Sequence, residues 1–225
     1  MAEYKGLAEK VGIQGLHEKV INLLTSFLFK NIKILDLGAG AGAFALRLKN
    51  MGYYVECVDI IEKYFVPKNI TFYKIDLNNN FFDLINKKFD IITAIEVIEH
   101  LENPWHFLRE CNKLLVSAGK LLITTPNIES IPGRIRFLIK GNFRFFDENI
   151  GFNEPSHITP IQSFLFKKAI MNSGFKIILH KIYPQNKFFN SRKIVSVISK
   201  IISPFLKGIK FGDRHIFLLE KNEEI

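Results

Sequence analysis

The chain has 225 residues, 48% of them hydrophobic, and carries a net charge of +9. This length suits a single large domain, and the hydrophobic content excludes wholesale disorder. No stretch approaches the roughly 20 apolar residues needed to span a bilayer, and the first ten residues lack the apolar core of a secretory signal, so we expect a cytoplasmic protein. Its two cysteines, Cys57 and Cys111, cannot form a disulfide framework and are predicted to be small buried hydrophobes.

Strands and helices alternate along the first half of the chain. Helical spacing of apolar residues predicts a first helix at 16–29, and two further helices are expected at 43–49 and 104–116. Buried strands are predicted at 32–38, 53–59, 70–76, 89–96 and 119–127. This alternation implies a parallel sheet that is covered by helices on both faces.

The pattern changes after residue 127. An irregular, basic, Phe-rich insertion is expected at about 130–152. Helices are then predicted at 160–173 and 191–202, and strands at 174–183 and 214–221. We expect one domain over residues 1–225, with a cofactor-binding half at 1–127 and a substrate-side half at 128–225 that adds an antiparallel ending to the sheet.

The first strand ends in the glycine-rich string DLGAGAG. Gly38, Gly40 and Gly42 let the backbone turn tightly and let a ligand approach without a clash against a Cβ atom. Asp59 ends the next strand, where a carboxylate can accept hydrogen bonds from both hydroxyls of a ribose. The first half therefore predicts a site for a cofactor that contains a nucleoside.

Two cofactors fit this loop. Gly38, Gly40 and Ala43 satisfy the dinucleotide pattern, so an NAD(P)-dependent oxidoreductase is the first alternative. Asp36 favours S-adenosylmethionine instead, because a carboxylate in the turn repels a pyrophosphate but can hold the amino-acid end of a sulfonium cofactor. Asp76 ends the third strand, where it can accept a hydrogen bond from the adenine amino group.

The strings ILDLGAGAGAFALRL, VECVD, FYKIDL, FDIITAIEVIEHLENP and LLVSAGKLLITTPN stand in the order and spacing of a known family. Through them the chain resembles the class I S-adenosylmethionine-dependent methyltransferases. The resemblance implies a Rossmann-like α/β fold with a seven-stranded, mostly parallel sheet whose last strand is antiparallel. It also implies cofactor-binding roles for seven positions: Asp36, Gly38, Gly40, Gly42, Asp59, Asp76 and Ile95.

The fourth strand is followed by Glu96-Val97-Ile98-Glu99-His100. On a helical turn, Glu96, Glu99 and His100 share one face, and His157 can approach from the start of a later helix. Two carboxylates and two imidazoles suit a divalent cation such as Mg, Mn, Co or Zn, which lowers the pKa of a substrate hydroxyl. The residues alone equally allow a metal-free site in which Glu96 contacts the cofactor and His100 is the general base.

The string E-x-x-E-H with a downstream histidine is similar to two subgroups of the family, the ubiquinone-pathway O-methyltransferases and the small-RNA ribose 2′-O-methyltransferases. The second subgroup implies metal ligation by Glu96, Glu99, His100 and His157. We therefore expect O-methylation, with His100 and Glu96 as the catalytic pair. His17 is a weaker candidate for the site, whereas His106, His180 and His215 are expected at the surface or in packing.

Most of the chain's excess positive charge lies in the substrate-side half. Residues 130–146 carry four cations and no acid, interleaved with apolar side chains. Such a segment suits a lipid surface or, less well, an RNA groove, while a plain hydrophobic cap over the active site is the alternative. Through TTPN, the basic Phe-rich segment and HITP, this half resembles bacterial methyltransferases of cell-surface glycan or lipid-linked intermediates. The expected acceptor is a small molecule, a glycan or a lipid-linked compound, met in the cytoplasm or at the inner face of the membrane.

Overall fold

The computed structural model describes residues 15–27, 31–146, 156–184, 197, 199 and 201–222. Seven strands form one sheet in the order β3-β2-β1-β4-β5-β7-β6. In chain order they are β1 (Lys33–Leu37), β2 (Tyr54–Asp59), β3 (Thr71–Lys74), β4 (Phe89–Ile95), β5 (Leu115–Pro126), β6 (Phe175–Tyr183) and β7 (Arg214–Lys221). Strands β1 to β5 pair in parallel, and β7 runs antiparallel to both of its neighbours, β5 and β6. The predicted mostly parallel sheet with a reversed last strand is confirmed.

Helices cover both faces of this sheet. They are α1 (Leu16–Leu24), α2 (Ala43–Asn50), α3 (Phe81–Ile85), α4 (Pro104–Leu114), α5 (Ile131–Lys140) and α6 (Ser163–Asn172). One buried cluster joins α1 and α2 to one face, and a second joins α3, α4 and α6 to the other, because successive strand residues point to opposite faces. Cys57 is buried in the first cluster and Cys111 in the second, as predicted. Within the described residues, no helix is both long enough and apolar enough to cross a membrane.

The expectation of an irregular segment at 130–152 is wrong over its first part, which forms α5. The Ser130 side chain accepts a hydrogen bond from Gly133 N (3.3 Å), and Gly141 ends the helix with a φ of 72°. The charges interleaved with the apolar residues hid the helical period in the sequence. Helix α3 is also unpredicted, since five residues are too few to show a period. Most of the helix predicted at 191–202 lies outside the described residues, as do residues 147–155.

The sheet reverses its strand order between β1 and β4. The chain leaves β1 toward β2 and β3 at one side, and then returns to place β4 on the other side of β1. In open sheets of this kind, a crevice forms at the carboxyl ends of the strands next to the reversal. The glycine loop after β1 and the Glu96–His100 segment after β4 both lie at that edge.

Candidate active site

The loop after β1 requires glycine at Gly38 and Gly42, because of their backbone conformation and because of close packing. Gly38 has a φ of 70°, and a Cβ atom there would lie 2.4 Å from Val97 Cγ2. Gly42 has a φ of 82°, and its Cβ would lie 2.6 Å from Pro67 Cδ. Gly40 also has a positive φ, 53°, but none of the described atoms lies within 4 Å of its Cβ position. The loop is therefore tightly packed at its two ends and open at Gly40, where a ligand can approach the backbone.

A cavity of about 160 Å³ lies beside this loop. It is lined by His17, Asp36, Gly38, Ala39, Gly40, Ala41, Ala43, Phe44, Ile95 and Glu96. Four of the predicted cofactor residues, Asp36, Gly38, Gly40 and Ile95, thus meet around one cavity, together with the weaker candidate His17. His17 is buried on α1 and lies 3.1 Å from the Nη1 atom of Arg47, a contact that the sequence did not suggest.

The other predicted cofactor residues stand around the loop and not in the cavity wall. Asp59 Oδ2 accepts a hydrogen bond from Gly40 N (2.8 Å), and its Oδ1 accepts one from Ile61 N (3.0 Å). Asp76 follows β3, and its Oδ1 accepts hydrogen bonds from the backbone and the side chain of Asn78. Both carboxylates lie on the β2–β3 side of the crevice. Their contacts with ribose and adenine stay predictions.

Asp36 is the most strongly perturbed carboxyl group at the cavity. Its side chain is 3% exposed and accepts a hydrogen bond from Thr93 Oγ1 (2.8 Å) on the neighbouring strand β4. Burial raises the pKa of Asp36 from 3.8 to about 7, with a smaller contribution from the charge of Asp59, although the Thr93 hydrogen bond opposes the rise. A cationic group that binds beside a buried carboxylate of this kind, such as an amino group, stabilises its ionised form.

Glu96 stands at the other end of the cavity and forms an ion pair with Arg214. Its φ of 56° lies in the left-handed region, so the chain turns sharply out of β4. The Glu96 carboxylate accepts a hydrogen bond from Thr124 Oγ1 (2.9 Å) and pairs with the Arg214 guanidinium, which also lies 4.5 Å from the centre of the Phe145 ring. Burial raises the pKa of Glu96, and the charge of Arg214 opposes that rise.

A second group lies one turn further along the chain. One ligand atom from each of Glu99, His100 and His157 lies within 4.8 Å of the others. Glu99 Oε2 accepts a hydrogen bond from Thr125 Oγ1 (3.0 Å), and Glu99 Oε1 lies 3.9 Å from His157 Nε2. The backbone brings His157 there, because the amides of Ile158 and Thr159 both donate to the Glu99 carbonyl at 2.9 Å.

Burial sets the protonation of this group. It raises the pKa of Glu99 well above its usual value, and the charge of Glu96 adds to the effect. Burial also lowers the pKa of His100 and takes that of His157 to about 4. Both imidazoles are therefore neutral at pH 7. His100 Nδ1 donates to the Ser156 carbonyl (3.0 Å), which leaves the lone pair on Nε2.

The predicted four-residue set is thus divided in two. Glu99 and His100 lie in the 3₁₀ turn Ile98–His100, but Glu96 precedes this turn and does not share a helical face with them. Arg214 was not predicted either. Because β7 is antiparallel to β5, its first residue lies at the carboxyl edge of the parallel strands, and a cation at the start of a reversed last strand is a signal that the sequence did contain.

Comparison with known proteins places the chain in a family. Residues 13–180 match the sequence profile of the methyltransferase domain family. The chain belongs to this methyltransferase family. Its membership confirms the class I S-adenosylmethionine-dependent methyltransferase predicted from the sequence, with S-adenosylmethionine as the cofactor, and it removes the NAD(P)-dependent oxidoreductase alternative.

Relatives and solved structures agree with this family. The methyltransferase is 28% identical over 107 residues to the ubiquinone biosynthesis O-methyltransferase of Caulobacter sp. (strain K31), covering 44% of this chain and 42% of that protein. It is 33% identical over 119 residues to the protein of the same name from Glaesserella parasuis serovar 5, covering 48% and 50%. The chain therefore spans about half the length of these curated relatives.

The same fold occurs in solved methyltransferases. A SAM-dependent methyltransferase from Archaeoglobus fulgidus superposes with a TM-score of 0.62 at 19% identity, covering 91% of this chain and 94% of that one. Magnesium protoporphyrin IX methyltransferase from Synechocystis PCC 6803, solved with bound SAH, also gives 0.62 at 15% identity, covering 93% and 83%. At these identities the similarity supports the fold alone.

Proposed function

We propose that the protein transfers the methyl group of S-adenosylmethionine to a hydroxyl oxygen that is held at Glu99, His100 and His157. The observation that carries this proposal is the buried Glu99 carboxyl group, which lies with two imidazoles close to the Glu96 end of the cofactor cavity. The names of the curated relatives, ubiquinone biosynthesis O-methyltransferases, support oxygen as the methylated atom.

The residues present fit a divalent cation. Glu99 is fully buried, and its Oε1 finds no hydrogen-bond partner among the described residues. An unpartnered carboxylate oxygen in such a place costs free energy that a bound cation offsets. Glu99, His100 and His157 supply one oxygen and two nitrogens, a donor set that suits Zn, Co or Mn. His100 has the further support of the Ser156 carbonyl, which fixes its ring. Glu96, by contrast, is neutralised by Arg214.

Each side chain has a defined task in this proposal. The loop glycines and Asp36 hold the cofactor, whose sulfonium carbon forms a bond to the acceptor oxygen as the bond to sulfur breaks. A cation, when bound, lowers the pKa of the acceptor hydroxyl. With a cation bound, the Nε2 lone pair of His100 would be one of its ligands and the acceptor hydroxyl would lose its proton to water. In a site without metal, the same lone pair accepts the hydroxyl proton. The pair of Glu96 and Arg214 lies at the cofactor cavity and adds no net charge there.

The acceptor is a small molecule, a glycan or a lipid-linked compound, and the surface of α5 supports delivery from a membrane. Leu138 and Ile139 on this helix are 86% and 74% exposed, and Phe205 is 85% exposed. Arg136 and Lys140 lie on the same helix. Exposed apolar side chains among cations are typical of a segment that lies on an anionic lipid surface.

Metal binding to the cofactor-loaded protein tests the ligand set. We expect Mn²⁺, Co²⁺ or Zn²⁺ to bind at one site per chain in calorimetry with S-adenosylhomocysteine present. Glu99→Gln and His157→Gln should each weaken this binding by roughly tenfold or more, since each removes a ligand. Glu102→Gln is the matched control, because Glu102 is exposed three residues after Glu99.

The same variants separate the two catalytic possibilities. If Glu99→Gln loses both metal binding and methyl transfer, the result supports a bound cation. If no metal binds and only His100→Ala is inactive, the cation is wrong and His100 is a general base. Methylation of nitrogen, carbon or sulfur on the acceptor would contradict the proposed reaction itself.

A further inference from the structure

A second cavity lies on the substrate side, between α5 and the turn after β5. Its volume is about 570 Å³, within the range of roughly 300–1,000 Å³ that small-molecule sites occupy. It is lined by Ile128, Glu129, Gly133, Arg134, Phe137, Leu138, Phe143, Pro160 and Gln162. We propose that this cavity is the acceptor subsite and that it holds the apolar body of a neutral, hydroxyl-bearing amphiphile. This inference rests on the proposed function.

The walls of the subsite are mostly apolar. Phe137 and Phe143 stack with their ring centres 4.8 Å apart, and Ile128 and Pro160 face the same space. Gly133 lets α5 pack closely against the turn after β5, since a Cβ atom there would lie 2.6 Å from the Ile128 carbonyl oxygen. Ligand binding to such a surface is favourable mainly because apolar area of the ligand is removed from water.

Two chain segments connect the subsite to the proposed reaction centre. Phe143 contacts Phe146 with ring centres 6.3 Å apart, and Phe146 contacts the His157 ring at 5.4 Å. The second segment runs from His157 through Thr159, whose amide donates to the Glu99 carbonyl, to Pro160 in the cavity wall. A ligand whose body fills the subsite can therefore present a hydroxyl to His157 and its neighbours.

Glu129 is the polar end of the subsite, and the protein holds it in place. Its Oε1 accepts a hydrogen bond from Gln162 Nε2 (3.1 Å), and its Oε2 accepts one from Ser163 N (2.9 Å). Behind it lies His215, whose ring is fully buried and hydrogen-bonded to His180 (3.0 Å). His215 Nε2 points at Glu129 Oε2 from 3.7 Å and has no hydrogen-bond partner in the described part of the chain.

This arrangement selects the charge of the ligand. A fixed carboxylate at the edge of an apolar cavity accepts a hydrogen bond from a hydroxyl but repels a phosphate or carboxylate. Arg134 in the same wall keeps its positive charge, with its Nε donating to the Glu129 carbonyl (2.8 Å) and its Nη2 to the Ile209 carbonyl (3.3 Å). The wall therefore carries one charge of each sign and offers an anion no net attraction. The geometry therefore favours a neutral amphiphile over a nucleotide or a nucleic acid.

A series of 4-alkylphenols tests the subsite directly. Binding to the protein loaded with S-adenosylhomocysteine is measured by calorimetry as the alkyl chain grows from ethyl to octyl. We expect the affinity to rise about fourfold for each added methylene until the cavity is full, from roughly 0.8 kcal/mol per buried methylene. The matching 4-alkylbenzoates should bind at least tenfold more weakly than the phenols.

Two variants make the result specific to the cavity. Phe143→Ala should flatten the dependence on chain length, and Phe137→Ala should do the same as an independent check if the first variant folds poorly. Phe164→Ala, at a 60% exposed position of α6 away from the cavity, should leave the dependence unchanged.

The outcomes separate this inference from the proposed function. A flat alkylphenol series alongside intact metal binding would overturn the subsite alone. A steep series that depends on Phe143, with no metal binding and no transfer to oxygen, would overturn the proposed function and leave the subsite standing. Equal or tighter binding of the 4-alkylbenzoates would overturn the assignment of a neutral ligand.

Discussion

Replacing Asp36 with asparagine should stabilise the protein without cofactor at neutral pH. Burial raises the pKa of this carboxyl from 3.8 to about 7, so the ionised form is disfavoured in the folded state. The folded-state pKa is the higher one, so stability falls as the pH rises from about 4 to about 7 and the full cost is present above that range. At about 1.4 kcal/mol per pH unit, the cost is about 4 kcal/mol at pH 8 and roughly 1.5 kcal/mol at pH 5. Asparagine has a similar shape and no charge, and it can keep the Thr93 hydrogen bond.

Urea denaturation at pH 5 and pH 8 measures this difference. Asp36→Asn should gain most at pH 8, up to about 4 kcal/mol, and less at pH 5. The same variant should bind S-adenosylhomocysteine more weakly, because the cofactor's amino group loses its anionic partner. Asp83→Asn, at an exposed position on α3, is the control and should show neither effect. An Asp36→Asn protein that is no more stable than wild type at pH 8 would refute the argument from burial.

Three further predictions follow from the site and its surroundings. Asp59→Ala should weaken cofactor binding by roughly 1.5–3 kcal/mol in calorimetry, the range for a hydrogen bond to a charged group, and unchanged affinity would remove Asp59 from the ribose site. Arg214→Met should destabilise the fold by roughly 3–5 kcal/mol in urea because Glu96 loses its buried partner, and adding Glu96→Gln should recover much of this loss; additive effects would refute the coupling. Anionic vesicles should bind the protein better than neutral ones, less so at high salt or after Leu138→Ser with Ile139→Ser, and equal recovery on both vesicles would reject the lipid surface.

Local signals made the cofactor half predictable. The glycine loop, Asp59 and the fourth strand each depend on neighbouring residues, so their places at the carboxyl edge could be inferred from the order of strands and helices. Position 38 requires glycine because its φ is 70° and because Val97 packs against it. Such a requirement is visible in the sequence as a glycine directly after the first strand. The reversed last strand was expected from the resemblance to known methyltransferases, because the residue pattern of a strand does not fix its direction.

The substrate side was less predictable because its contacts join distant residues. The pair of Glu96 and Arg214 spans 118 positions and depends on the register of β7 against β5. The turn at Glu96 places this residue away from the helical face that Glu99 and His100 share. Its positive φ could not be predicted, because glutamate rarely adopts this conformation. Glu129 and His215 meet only because β5 and β7 are neighbours in the sheet.

Methyl transfer from radiolabelled S-adenosylmethionine to a panel of hydroxylated acceptors tests the central claim most directly. The panel includes phenolic amphiphiles, glycans, lipid-linked compounds and RNA, and each is assayed with chelator, with chelator followed by a divalent cation, and with Glu99→Gln. We predict a label on oxygen that disappears with chelator, returns with the cation and is absent in Glu99→Gln, whose affinity for S-adenosylhomocysteine stays within about twofold of wild type because Glu99 lies outside the cofactor cavity. Full transfer by Glu99→Gln in the presence of chelator would contradict the proposed role of Glu99, His100 and His157.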